Sequence, residues 1–113
     1  MKSKANSDVP RDLLDQSKNI GKIKILKYDG ADPKVIETLQ AKVDRTEFII
    51  TLIEEIDTLF GKILRLRYVN RWTVDEIASE LAIARRTYDR DRKKALNLFR
   101  ELSTGEGAAD GTL

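Results

Sequence analysis

The stretch from Thr73 to Leu102 constrains the fold more than any other part of this chain. It reads TVDEIASEL, then AIA, then RRTYDRDRKKALNLFREL. Thr73 is followed three residues later by Glu76, the capping-box spacing in which hydroxyl and carboxylate satisfy each other's backbone N–H. Trp72 before the cap and Ile77 after it are placed for a hydrophobic staple. Ile77, Ala78 and Leu81 form one apolar face of the first helix. The turn Ala82-Ile83-Ala84 carries a single apolar plug, Ile83. In the second helix Tyr88, Ala95, Phe99 and Leu102 recur at helical spacing and are expected inward, which leaves Arg85, Arg86, Asp89, Arg90 and Lys93 outward near its start. A helix-turn-helix that reads DNA needs this construction: one helix and a plug hold a second helix, whose N-terminal side chains enter the major groove. The same pattern also suits an ordinary all-α domain with a solvated basic face.

Charge favours the first alternative. From Gly61 to Arg100 there are eleven Lys and Arg against five Asp and Glu, a net +6. From Asp29 to Asp57 there are eight acids against three bases, a net −5, although the whole chain carries only +2. Such a separation points one half of the molecule at a polyanion and keeps the other half off it.

The run Ile63-Leu64-Arg65-Leu66-Arg67-Tyr68-Val69, followed by Trp72-Thr73-Val74-Asp75-Glu76-Ile77-Ala78, Leu81, Ile83, Arg86-Thr87-Tyr88 and Lys94-Ala95-Leu96, resembles the helix-turn-helix of sigma-70 region 4. More closely it is similar to small phage and prophage regulators of the RinA and ArpU late-gene activator type. The resemblance covers roughly residues 49 to 102. It implies a transcriptional regulator that binds double-stranded DNA, with RNA polymerase as a further partner. Two positions depart from it: Ala82 stands where such modules usually carry Gly, and Ala84 where they carry Ser. Losing the Ser side-chain cap costs about 0.5–2 kcal/mol. Arg85, Arg86, Asp89 and Arg90 are the expected base readers. Thr87, Arg92, Lys93, Arg71 and Trp72 are candidates for phosphate contact or positioning.

At 113 residues the chain is one domain's worth, with room for a modest core. It contains neither Cys nor His, so it has no disulfide, no thiolate metal site and no imidazole base. Glu54-Glu55 and the Asp89/Asp91 pair are the only clustered carboxylates considered for chemistry, and both read as solvated helix faces. No phosphate-cradling glycine motif is present. Neither an enzyme nor a cofactor is expected. No apolar run approaches the length of a membrane span, and MKSKANSDVP has no hydrophobic stretch behind its lysines, so a cytoplasmic protein is expected.

Taken in order, Met1 to Val9 reads as disordered, and Pro10 opens a short helix that Gly21 ends at Ile20. Lys22 to Tyr28 alternates basic and apolar residues, the pattern of a short strand or an extended arm. Its lysines, with Lys18, are either solvated or an accessory phosphate contact. Asp32 and Pro33 start a long helix to about Glu55. The apolar stripe of that helix includes Ile36, Leu39, Val43 and Ile50, and it packs on its own chain or meets a second subunit. A connector helix from about Leu59 to Val69 follows, with Asn70 expected in the left-handed conformation that closes it. Ser103 to Leu113 reads as a disordered tail.

The expected fold is therefore all-α: a long N-terminal helix, a connector helix and a C-terminal helix-turn-helix. Its parts are a flexible arm with a short helix (1–32), a long helix suited to oligomerisation (33–57), the DNA-binding module (58–102, reading DNA with helix 85–101) and a tail (103–113). The leading function is a DNA-binding regulator, a homo-oligomer with a dimer favoured. The alternative is a DNA-packaging component like a phage terminase small subunit, and a third reading is a pure protein-interaction adaptor.

Overall fold

A computed structural model describes residues 9–105, and these are all-α, with no strand among them. We number the helices α1 (Arg11–Asp29), α2 (Pro33–Ile56), α3 (Thr58–Leu64), α4 (Val74–Leu81) and α5 (Arg85–Thr104). A π-helical turn, Arg65–Val69, extends α3. No described helix is long and apolar enough to cross a membrane.

The first difference from expectation is at Gly21, which does not end a helix: α1 runs straight through it, and Lys22–Tyr28 is helical rather than a strand or an arm. The helix stops at Gly30, whose φ of 71° is left-handed. There Ala31 N–H bonds the Leu26 carbonyl at 2.9 Å and Gly30 N–H bonds that of Lys27 at 3.2 Å, the paired closure typical of a left-handed C-terminal residue. Two residues on, the Asp32 side chain accepts from Lys34 N–H at 2.9 Å and α2 begins with Pro33. So short a connection makes α1 and α2 an antiparallel hairpin. Along its seam the buried Gln16 donates from Nε2 to the Val43 carbonyl at 3.0 Å.

This packing takes up part of the α2 stripe, while Ile36 and Leu39 stay half-buried. Val43, Thr46, Ile49, Ile50 and Ile53 are buried within the chain itself, so Val43 and Ile50 are not available to a second subunit. Leu13 of α1, Leu64 of α3, and Leu96 and Phe99 of α5 join Ile50 and Ile53 in one cluster. Burying such side chains fully contributes roughly 1.5–3 kcal/mol each.

Asp57 closes α2 and opens α3, its carboxylate accepting from Phe60 N–H at 3.1 Å. Arg65, at the head of the π turn, reaches back to α2. Its Nε and Nη2 fork onto Glu54 at 2.8 and 3.0 Å, while Nη1 bonds Glu47 at 3.1 Å. The hydrogen bonds to Glu54, then those to Glu47, hold this guanidinium even more firmly protonated than usual.

The left-handed residue after the π turn is Arg71 (φ 63°), whereas Asn70 is right-handed at φ −86°. The physical reason is the wide turn itself. Asn70 N–H bonds the Arg65 carbonyl five residues back and Trp72 N–H bonds that of Leu66, both at 2.9 Å, which shifts the closing position on by one. At the far end α5 continues through Ser103 and Thr104 to Gly105, so those two residues belong to the helix rather than a tail. Val9, expected in the disordered stretch, is instead buried in the core cluster, and the expected disorder at 1–8 and at 106–113 lies outside the described residues.

Candidate nucleic-acid interface

The expected capping box at the start of α4 is formed: Glu76 N–H bonds Thr73 Oγ1 at 3.1 Å and Thr73 N–H bonds Glu76 Oε1 at 2.8 Å. Trp72 packs, partly buried, on the small cluster of Ile63, Ile77 and Tyr88, as a staple should. Arg67 donates from Nη1 to the Trp72 carbonyl at 2.8 Å, which pins the loop from below. Trp72 is thus a holding residue, with its backbone satisfied inside the chain.

α4 ends at Ala82, left-handed at φ 56° and ψ 46°. Ile83 N–H bonds the Ala78 carbonyl at 3.0 Å and Ala82 N–H that of Ser79 at 3.2 Å. Ile83 then turns its side chain onto the same cluster as Ile77 and Tyr88. Ala84 takes the cap position of α5 without a side-chain hydrogen bond. The turn therefore has the backbone path that Gly and Ser would favour, built from alanines.

On α5, Tyr88, Ala95 and Phe99 are fully buried and Leu102 packs at the edge. Arg85, Arg86, Asp89, Arg90 and Lys93 are exposed, as the spacing requires. Their situations differ. Arg85 lies between two acids, 3.4 Å from Asp75 and 3.9 Å from Asp89. Arg90 Nε sits 3.5 Å from its neighbour Asp91. Arg86 makes no hydrogen bond or ion pair among the described residues. Exposed pairs of this kind hold their partners weakly, by about 0–1 kcal/mol, so the guanidinium groups can exchange them for an external anion. Arg86, Arg90 and Lys93 stand at i, i+4 and i+7 and make one basic line on the helix face.

Arg92, expected on this face, stands apart from it. It is half-buried, and its Nη1 donates to the Tyr68 hydroxyl at 2.9 Å, tying α5 to the π turn. Thr87 is also only partly exposed. Arg71 projects from the loop before α4 and donates to Ser17 Oγ of α1 at 3.3 Å.

Three features escaped the residue pattern. Arg67 joins Arg85 and Arg92 in lining a cavity of about 230 Å³ beneath α5, together with Tyr68, Tyr88 and Asp89. The Tyr88 hydroxyl is buried with no hydrogen-bond partner, and burial pushes its pKa above the ordinary range, with Tyr68 adding to the rise. Asp91 is a buried acid in the middle of the basic helix. Only Arg67 left a signal in the sequence, through the Arg-x-Arg-Tyr run. The other two depend on which side of α5 meets α3.

No protein family, curated protein or solved structure matches this chain.

Proposed function

We propose that this protein is a sequence-specific double-stranded DNA-binding transcriptional regulator that lays α5 in the major groove. One observation carries the reading: the first turns of α5 hold Arg85, Arg86, Arg90 and Lys93 out to solvent, while Tyr88 between them is completely buried. The helix is anchored by one side and basic on the other, as a reading helix needs to be. Arg86 and Arg90 then face base edges, with Lys93 on phosphate. Arg85, Asp89 and Thr87 border the contact, and Arg71 reaches the flanking backbone. The resemblance of residues 49–102 to the sigma-70 region 4 module supports a phage-derived regulator, with RNA polymerase as a partner once DNA is bound.

The test is a titration with duplex DNA at several salt concentrations. With roughly five phosphate contacts, log K against log[salt] should fall with a slope of about −4 to −5. A flat response would remove the DNA-binding reading and leave the adaptor.

A second reading, a DNA-packaging component that binds DNA as an assembly of many copies, is favoured by the apolar side chains exposed on α1 and α2: Ile25, Tyr28 and Phe48.

A further inference from the structure

The hairpin of α1 and α2 leaves Ile25 and Tyr28 of α1 and Phe48 of α2 exposed. The inner side of α1 bears Gln16 and Ile23, that of α2 Val43 and Ile50, all buried. Ile25 comes two residues after Ile23 and Phe48 two residues before Ile50, so each points about 200° away from a buried isoleucine of its own helix. Both are 62% exposed, and Tyr28, one turn beyond Ile25, is 91% exposed. Ile25 and Tyr28, grouped one turn apart rather than scattered singly, mark a contact surface, and Phe48 offers such a surface a single large ring.

The two faces are complementary in charge. Lys18, Lys22, Lys24 and Lys27 surround Ile25 and Tyr28, and no acid occurs from Gln16 to Tyr28. Along α2, at helical spacings from Phe48, stand the exposed Glu37, Asp44 and Glu55 against one base, Arg45, which donates to Ser103 Oγ. The shapes also suit each other. Gly21 falls one turn before Ile25 on the same face, and a Cβ built there meets nothing within 4 Å. The chain's own packing gives no reason for this glycine, which weakens a helix. It leaves a notch in which the backbone of another helix, or a protruding ring such as Phe48, can lie close.

We infer that a second copy of this chain docks head-to-tail, its outer α2 face around Phe48 seated on the Gly21–Ile25–Tyr28 face of α1. Because the two faces differ, each copy keeps one of each free. The contact is heterologous and builds rings or open arrays rather than a closed dimer. The alternative, two copies meeting symmetrically over the trough between α1 and α2 (about 310 Å³, lined by Ile25, Leu26, Val35 and Leu39), is disfavoured by charge. Lys22 lies on its rim and Lys42 one turn along from Leu39, so a twofold pairing sets like charges together. The inference is independent of the DNA reading, since it is tested with DNA absent.

The experiment is mass in solution by light scattering, at high micromolar concentration and low salt, for the full chain, Ile25→Asp, Phe48→Asp and their equimolar mixture. Both replaced side chains are exposed, and far-UV circular dichroism checks that each variant keeps its helices. The wild type should exceed the dimer mass and shrink as salt rises. Each variant alone should be a monomer. The mixture should give twice the monomer mass, because each variant retains the face the other has lost. A monomeric wild type, a variant that keeps the wild-type mass, or a mixture that stays monomeric would overturn the proposal. A wild type that stops at the dimer indicates the symmetric contact and overturns it equally.

Discussion

Gly61 of α3 and Glu54 of α2 pass so closely that a Cβ on the glycine would stand 2.6 Å from the Glu54 Cα. The backbone and the Cγ of Glu54, not a mobile side-chain tip, occupy the space. The same glutamate receives the fork of Arg65, so contact and ion pair fix one crossing between the long helix and the segment leading to α4.

Gly61→Ala should therefore destabilise the protein. Helix propensity alone would favour alanine by about 1 kcal/mol. Overpacking against backbone costs typically 1–3 kcal/mol and occasionally more, and the contact is severe enough that overpacking wins. Urea unfolding should show a net loss of about 1–2 kcal/mol. A variant more stable than wild type would mean that α3 does not cross α2 at Gly61.

Ala82→Gly should act in the opposite direction. Ala82 sits in left-handed backbone at φ 56°, where a Cβ costs roughly 1–2 kcal/mol, partly offset by the greater freedom of glycine in the unfolded chain. A gain of about 0.5–1 kcal/mol is expected, with DNA affinity unchanged. Thermal melting and a binding titration measure the two halves of this statement.

Tyr88 separates ring from hydroxyl. Tyr88→Ala removes a fully buried ring and should cost about 3 kcal/mol or more. Tyr88→Phe removes only a hydroxyl that has no partner, so it should leave stability equal or higher by up to about 1 kcal/mol. The pH dependence follows in sign. Since the folded state raises the pKa of this hydroxyl above 10.0, it keeps a proton that the unfolded chain releases there. Stability contributed by the neutral phenol is complete below pH 10 and is lost as pH rises through the folded value. Wild type should thus lose more stability than Tyr88→Phe on passing from neutral pH to above pH 10. Equal losses would show that the hydroxyl is hydrated.

Arg86 and Arg92 should divide reading from holding. Arg86→Ala removes a side chain with no partner in the described chain, so melting should barely change. Preference for a selected site over random duplex should fall by about 1–3 kcal/mol, the worth of one good arginine–guanine pair. Arg92→Ala leaves the Tyr68 hydroxyl without its donor. It should lower stability by about 1 kcal/mol while keeping the ratio of specific to nonspecific affinity. If Arg92→Ala erased specificity and Arg86→Ala did not, α5 would present a different side to DNA.

What the sequence made legible is what is local. Asp32 and Pro33 mark the start of α2 through contacts within three or four residues, and Thr73 and Glu76 do the same for α4. The inward set of α5 follows from one period. Lys22–Tyr28 misled because its alternation imitates a strand. Only the presence of α2 decides that Ile23 is covered while Ile25 stays in water. Gly21 misled because a glycine weakens a helix without forbidding it, and α2 supplies the lost stability. Arg92 shares the basic composition of its neighbours, and its inward turn depends on Tyr68, which is 24 residues away. Asp91 is buried for a reason the pattern of apolar residues could not express.

The wide turn at Arg65–Val69 has a consequence for how this molecule can vary. A π turn holds one residue more than the α-helical path between the same points, and one residue is about 100° of rotation. The register that aims Arg65 at Glu54 and Tyr68 at Arg92 is thereby set by a single residue's worth of winding. Substitutions along α3 leave that register in place, but a one-residue deletion ahead of Tyr68 would carry its hydroxyl about 100° away from Arg92, while α5 is held by Tyr88, Ala95 and Phe99. Length, at this one place, acts as a dial of orientation.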